Sequence, residues 1–213
     1  FQSNPFMFRP SPGGMHLPGN CRLDLYEENY EAVDIGKSQY NSRWIKTAYG
    51  QKALKQISTK PVICSGSTMG TQHAIELYSM AMVAQFDNTK CKQVGCDQGF
   101  HNYLFYEGGL MPFLASHACI INVHRQGDGA VNNLAAMRNS SLRSQGVLQS
   151  FDGKTNSVNA HDTNMVLNND NSTPSPVLHQ FDRDKELKGL IRKRTSEMLT
   201  RWKANQMRRS LMR

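Results

Sequence analysis

The sequence has no long apolar run, and this shortage limits what the protein can be. No stretch approaches the roughly 18 to 20 consecutive apolar residues that a membrane-spanning helix needs, and nothing near the start resembles a secretory signal peptide. The chain begins with Phe1 rather than methionine, so its natural start is expected to lie upstream. With 213 residues, 38% of them hydrophobic, it has the size of one domain with one core.

Cysteines are few and follow no metal-binding spacing. The five are Cys21, Cys64, Cys91, Cys96 and Cys119, and none forms a Cys-x-x-Cys pair. The five-residue step from Cys91 to Cys96 does not match a zinc knuckle. We expect buried free thiols, and the alternative is one disulfide in a secretory compartment.

Excess basic charge is absent from most of the chain. The formal net charge is +8, but residues 184–213 hold ten lysines and arginines against three acidic residues, and the other 183 residues hold fifteen against fourteen. We therefore expect one domain at 1–190 and a basic, amphipathic helical tail at 191–213. Such a tail would dock on nucleic acid or an anionic membrane if it is a binding surface, although a charged helix is more often a solvated face.

The chain mixes strand-like and helix-like patterns, and no internal repeat interrupts them. This mixture predicts an α/β or α+β fold with one core. The predicted elements are two short helices at 40–57 around Gly50, a strand at 61–64, helices at 71–86 and from Asp97 to Gly108, a strand at 118–123, a hairpin of strands 165–168 and 176–181, and an amphipathic C-terminal helix. Residues 138–164 are rich in Ser, Asn, Gln and Asp, which predicts a surface insertion of low order.

Small residues follow the strand at 61–64, in the stretch PVICSGSTMGT. Ser65, Gly66 and Ser67 would expose backbone amides and hydroxyls where the strand ends, and open α/β folds bind ligands at that edge. The alternative is a plain turn between a strand and a helix.

A second polar set lies at the start of the helix in CDQGFHN. Asp97 at a helix N-cap would ordinarily only accept backbone hydrogen bonds. Gln98, His101 and Asn102 accompany it within two turns, and this set suits hydrogen bonding to a hydroxyl-rich ligand such as a sugar.

A third candidate is His179 in SPVLHQFDR. Alternation along a strand puts it on one face with Val177 and Phe181, which is typical of a buried histidine. A neutral imidazole there would also suit a divalent metal ion.

In this order, the pieces resemble nucleotide-diphospho-sugar glycosyltransferases with a GT-A-like fold. The matching pieces are FQSNPF at 1–6, NSRWIKTAYG at 41–50, PVICSGSTMGT at 61–71, GCDQGFHNYL at 95–104 and SPVLHQFDR at 175–183. The resemblance implies a mixed sheet flanked by helices, incomplete at the N-terminus, in a chain that lacks the nucleotide-binding half. It extends over most of the chain to about residue 190.

The resemblance also implies roles for individual residues. His179 would be a ligand of Mn²⁺ or Mg²⁺, whose main acidic ligands would lie upstream, while Ser65 and Gly66 would line the donor sugar. Asp97 and Gln98 would face the sugar or the acceptor as catalytic residues, with Asp97 as general base in an inverting mechanism or orienting the sugar in a retaining one. A metal ion would neutralise the charge that develops on the leaving diphosphate.

The implied partners are a nucleoside-diphosphate sugar and a glycan, protein or lipid acceptor, and no nucleic acid. An N-terminal anchor would place the protein in the Golgi or another secretory lumen, and without one it would be cytoplasmic. The competing hypothesis is a non-catalytic binding module, or an inactive transferase-like protein, that docks through its basic C-terminal helix.

Overall fold

The central sheet has three short strands and brings distant parts of the chain together. The computed structural model describes residues 21–28, 33–134, 148–151, 163–166 and 175–211. Strand β1 (Arg22–Tyr26) pairs antiparallel with β2 (Met69–Gly70) and parallel with β3 (Ile120–His124), giving the order β2-β1-β3. Leu23 and Leu25 of β1 are fully buried, so the core lies against this strand.

Four helices accompany the sheet: α1 (Gln39–Ile57), which packs on α3, α2 (Gln72–Thr89), α3 (Cys96–Tyr106) and the short α4 (Met111–Leu114). The largest apolar cluster joins β1 to α2, α3 and α4; its buried members are Leu23, Leu25, Ile63, Ala74, Leu77, Tyr78, Ala81, Leu104, Leu110 and Leu114. Mixed helices and strands around one such core confirm the predicted α/β class.

Gly50 divides α1 as the sequence predicts. Its φ of 84° and ψ of 175° lie outside the helical region, so two helical pieces meet at this residue. Glycine adopts a positive φ at little steric cost, and a side chain at this position would be strained. Ser38 caps the first piece, accepting a hydrogen bond from the Asn41 backbone amide at 3.4 Å.

The strand predicted at 61–64 forms only single bridges. Pro61 pairs with Asp34 and Ile63 with Glu27, both antiparallel. The side chain of Asn102 accepts from the Ile63 amide and donates to the Ile63 carbonyl, each at 2.9 Å. An amide side chain therefore takes the place of a neighbouring strand on that edge of Ile63.

Four further strands form two small sheets. Strand β4 (Val131–Asn133) pairs parallel with β7 (Val177–His179), and β5 (Leu148–Phe151) pairs antiparallel with β6 (Thr163–Val166). The predicted hairpin of strands 165–168 and 176–181 is therefore wrong, because each half pairs with an earlier strand. One backbone hydrogen bond, from Ser175 to Val166 at 2.8 Å, joins the two halves.

The predicted low-order insertion at 138–164 contains β5 and the start of β6, so this prediction is wrong at those positions. Backbone pairing supplies the order that the polar composition does not indicate. The remaining positions of the insertion lie outside the described residues, as does the FQSNPF stretch at 1–6.

The predicted C-terminal helix is α5 (Lys185–Leu211), which is 27 residues long. Its first turns pack on a small cluster through buried Leu187 and half-buried Leu190 and Ile191. Met198, Leu199 and Trp202 continue the helical spacing of apolar residues that predicts an amphipathic helix, but they are 70%, 52% and 59% exposed. None of the described helices is long and apolar enough to cross a membrane.

Two disulfides correct the expectation of free thiols. One joins Cys21 to Cys119, 98 positions apart, and the other joins Cys91 to Cys96. Cys64 is the free cysteine, and it is buried. The pairing of Cys21 with Cys119 follows from the parallel register of β1 and β3, which the sequence does not reveal.

Candidate functional site

The three polar sets that the sequence singles out meet beside the carboxyl end of β1. A single 3-10 turn (Ser65–Ser67) follows Cys64, whose amide donates to the carbonyl of Tyr26 at 2.9 Å. The Ser65 hydroxyl donates to Asp97 Oδ2 at 3.3 Å, at the start of α3. From the other side, the imidazole of His179 lies against Gly66.

The glycines of the stretch PVICSGSTMGT leave room for other parts of the protein. A Cβ on Gly66 would lie 2.8 Å from Cε1 of His179, and one on Gly70 would lie 2.5 Å from the Arg22 carbonyl oxygen. Gly70 therefore allows β2 to approach β1, and Gly66 allows the imidazole to cover the turn. His179 occupies the side on which a side chain at position 66 would project. That Gly66 lines a donor sugar stays a prediction.

The hydroxyls of the turn differ in accessibility. Ser65 is half-buried, whereas Ser67 is 6% exposed and donates to the Cys64 carbonyl at 3.4 Å. Thr68 donates to the Ser65 carbonyl at 3.3 Å. Of the two serines predicted to bind substrate, only Ser65 presents its hydroxyl toward the open side, next to Asp97.

Gln98 and Asn102 hold the turn in place. Gln98 accepts from the Ser65 amide at 2.7 Å and donates to the Ile63 carbonyl at 2.5 Å. Asn102 is fully buried and binds both backbone groups of Ile63. These contacts use the polar atoms that the sequence assigns to catalysis or to a sugar, so we describe Gln98 and Asn102 as positioning residues.

His101 lies in the core and is closed off from solvent. Its ring is fully buried, and Nδ1 lies 2.8 Å from the Tyr78 hydroxyl. Burial lowers the pKa of His101 to about 3, so the ring is neutral at physiological pH. Among the described residues, Nε2 has no hydrogen-bond partner. The predicted contact between His101 and a substrate is therefore corrected, because this face of α3 points into the core.

Asp97 is the exposed carboxylate of the site. The helix begins at Cys96, and its N-cap is Gly95, with φ of 91°, so Asp97 is not the predicted N-cap. A groove of about 410 Å³ between α2 and residues 91–97 includes Asp97 in its lining.

His179 ends β7 and is half-buried. Burial lowers the pKa of His179, and the charge of Asp182 opposes that shift. The neutral ring that results has a lone pair for a proton or a metal ion. Gln180 follows with φ of 57°, so the chain turns there, and Phe181 leaves the strand face on which the sequence placed it beside His179.

A divalent ion would need more than His179. No group of three or more His, Cys, Asp or Glu side chains that could hold a metal is found among the described residues. A single imidazole does not make a closed metal site. The described residues therefore do not fit a complete Mn²⁺ or Mg²⁺ site by themselves.

One polar cluster was missed at the level of sequence. Asp24, 4% exposed, accepts from Asn122 at 2.9 Å, pairs with Arg22 at 2.7 Å and lies 3.0 Å from His124 Nε2. Burial raises the pKa of Asp24, but hydrogen bonds from His124 and Asn122 and the charge of Arg22 outweigh it, and the net shift is downward. The signal in the sequence that could have revealed this cluster is an aspartate between two apolar residues of a strand, Leu23 and Leu25.

Comparison with protein-family models, with curated proteins and with solved structures finds no match to this chain. The geometry of the site is therefore the observation from which a functional proposal starts.

Proposed function

We propose that the protein is a glycosyltransferase with a GT-A-like fold that transfers a sugar from a nucleoside diphosphate to an acceptor hydroxyl with the help of Mn²⁺ or Mg²⁺. The supporting observation is the convergence of Ser65, Asp97 and His179, from three separate segments, beside the carboxyl end of β1. Ligands of α/β folds bind at this edge.

Asp97 has the chemistry for the acceptor side of the reaction. It is exposed, it accepts a hydrogen bond from Ser65, and it lies at the edge of the groove beside α2. A carboxylate in that position would take the proton of an attacking hydroxyl, or orient the sugar if the configuration is retained. Gln98 would act indirectly, by fixing the Ser65 amide.

His179 would contribute to metal binding, and the other ligands are expected outside the described residues. A bound divalent ion would supply electrostatic stabilisation of the leaving diphosphate. Gly66 leaves room for the His179 ring over the turn, and packing of the ring there would help to hold its nitrogen in one place whether or not a metal is bound.

The two disulfides favour an oxidising compartment. We therefore propose a secretory lumen such as the Golgi, where glycan, protein or lipid acceptors are available.

The alternative function is a binding module without catalysis. It is favoured by α5, where exposed Met198 and Trp202 lie among basic residues. Removing residues 190–213 should then abolish binding to polyanions, and unchanged binding by the shortened chain would reject this alternative.

The test of the proposed transferase is calorimetric titration of the whole protein, including any segment that precedes residue 1, with a panel of nucleoside diphosphates, with and without Mn²⁺. We expect one nucleotide to bind only with the metal, and His179→Ala to weaken that binding at least about 10-fold. Asp97→Asn should bind the nucleotide normally but lose sugar transfer by about 100-fold or more, while Asp87→Asn, an exposed carboxylate on α2, should behave as wild type. Absence of binding by every nucleotide would contradict the proposal.

A further inference from the structure

Two histidines outside the proposed transferase site form a close pair on the surface. Nε2 of His73, near the start of α2, lies 3.0 Å from Nδ1 of His117. The two rings meet edge to face, with centroids 4.6 Å apart and planes inclined at 76°. Two imidazole nitrogens therefore point at one another from different elements.

The backbone on both sides of the pair is tied to the start of β1. The Thr71 amide, two residues before His73, donates to the Arg22 carbonyl at 2.9 Å. Cys119, two residues after His117, is disulfide-bonded to Cys21. Because the segments that carry the two histidines are anchored to Cys21 and to Arg22, the first residue of β1, their relative position is set by the fold rather than by long flexible loops.

The spacing of the two nitrogens suits a tetrahedral metal ion. Zinc binds imidazole nitrogen at about 2.0 to 2.1 Å, so two such ligands at a tetrahedral angle have nitrogens about 3.3 Å apart. The distance in the pair is 3.0 Å. Because the two nitrogens face one another along a hydrogen bond, both rings would have to turn for their lone pairs to converge on one ion.

A carboxylate stands behind one of the rings. Glu76 Oε2 lies 3.7 Å from Nδ1 of His73, the nitrogen that faces away from His117. Metal-binding histidines commonly donate their second N–H to a carboxylate, which fixes the tautomer and raises the basicity of the ligating nitrogen. Glu76 is suitably placed for that role.

We propose that His73 and His117 form a two-histidine binding site for a transition-metal ion of the Zn²⁺ type, with Glu76 supporting His73 from the outer shell. Imidazole ligands select Zn²⁺, Cu²⁺ or Ni²⁺ over Mg²⁺ and Ca²⁺, which prefer oxygen. This site is separate from the one proposed for Mn²⁺ or Mg²⁺ at His179.

The experiment is titration of the full chain, with any purification tag removed, with Zn²⁺ by calorimetry and with Co²⁺ by visible absorption. We expect one equivalent of Zn²⁺ at this site and a Co²⁺ spectrum with nitrogen ligands. His73→Gln and His117→Gln should each abolish that equivalent, and Glu76→Gln should weaken it about 10-fold.

His179→Ala is the control that separates this site from the proposed transferase site. It should keep the zinc equivalent bound by His73 and His117, whatever it does to nucleotide binding. Both histidines of the pair lie outside the core, so the Gln variants should keep the wild-type circular dichroism spectrum. Unchanged zinc stoichiometry and affinity in both folded Gln variants would overturn the proposal.

Discussion

His179 lies over Gly66 so closely that a Cβ on the glycine would come within 2.8 Å of the ring. Any side chain at position 66 would therefore compete with the ring of His179 for the same space. The turn at Ser65–Ser67 and the end of β7 therefore depend on each other.

Gly66→Ala should move the His179 ring. Because the clash involves the outer end of a side chain that can rotate, we expect a loss of only about 1 kcal/mol in the free energy of unfolding. Metal-dependent nucleotide binding should fall as in His179→Ala, which calorimetry would measure.

Gly70→Ala is the matched comparison, because its Cβ would meet the Arg22 carbonyl oxygen at 2.5 Å. Backbone cannot rotate away, so the free energy of unfolding should fall by about 2 to 3 kcal/mol. Equal stability losses in the two variants, with nucleotide binding retained in Gly66→Ala, would show that the His179 contact is unimportant.

Asn102→Ala should destabilise the protein strongly. The substitution removes the acceptor of the Ile63 amide, and a buried unpaired amide costs about 1 to 3 kcal/mol. Gln98 still donates to the Ile63 carbonyl, so that group keeps a partner. Urea denaturation would give the change, with Asn88→Ala, an exposed position of α2, as the control expected within about 0.5 kcal/mol of wild type.

The helices of this protein were predictable because each depends on local signals. Apolar residues at helical spacing predict α2, and Gly50 predicts the division of α1. Strand partners were not predictable in the same way. The sequence places Val177–His179 beside 165–168, whereas the structure pairs this strand with β4, because register depends on contacts between distant segments.

The candidate site was predictable in its location but not in the use of its residues. The sequence predicts Ser65, Asp97 and His179 as site residues from their positions at a strand end, at a helix start and in a strand. It does not show that Gln98 and Asn102 are committed to backbone groups of 63–65, because those contacts depend on how α3 packs against that segment.

The protein should lose stability between neutral pH and pH 5, partly through His101. Its pKa is about 3 in the folded protein and near 6.5 in an unfolded chain, so the unfolded state binds the proton first as pH falls. The stabilisation from the neutral ring is complete above about pH 6.5, and about 2 kcal/mol of it is lost by pH 5.

His101→Gln should remove that dependence while keeping a polar partner for Tyr78. Urea denaturation at a series of pH values would compare the two slopes. Asp24 does not affect this slope above pH 5. Its pKa is lowered from the ordinary value of 3.8, so its contribution to the free energy of unfolding is complete above that value and is lost only as pH falls below it. A wild-type slope in His101→Gln would contradict this assignment.

The disulfide between Cys21 and Cys119 should be the larger covalent contribution to stability. It closes a loop with a sequence separation of 98, which corresponds to about 4 to 5 kcal/mol in the chain-entropy relation, whereas the separation of 5 between Cys91 and Cys96 corresponds to about 2 kcal/mol. Replacing both Cys21 and Cys119 by serine should therefore lower the denaturation midpoint more than replacing both Cys91 and Cys96.

Thiol titration of the unfolded, unreduced protein should find one free thiol, Cys64, and five after reduction. Five free thiols before reduction would contradict both pairings and remove the argument for an oxidising compartment.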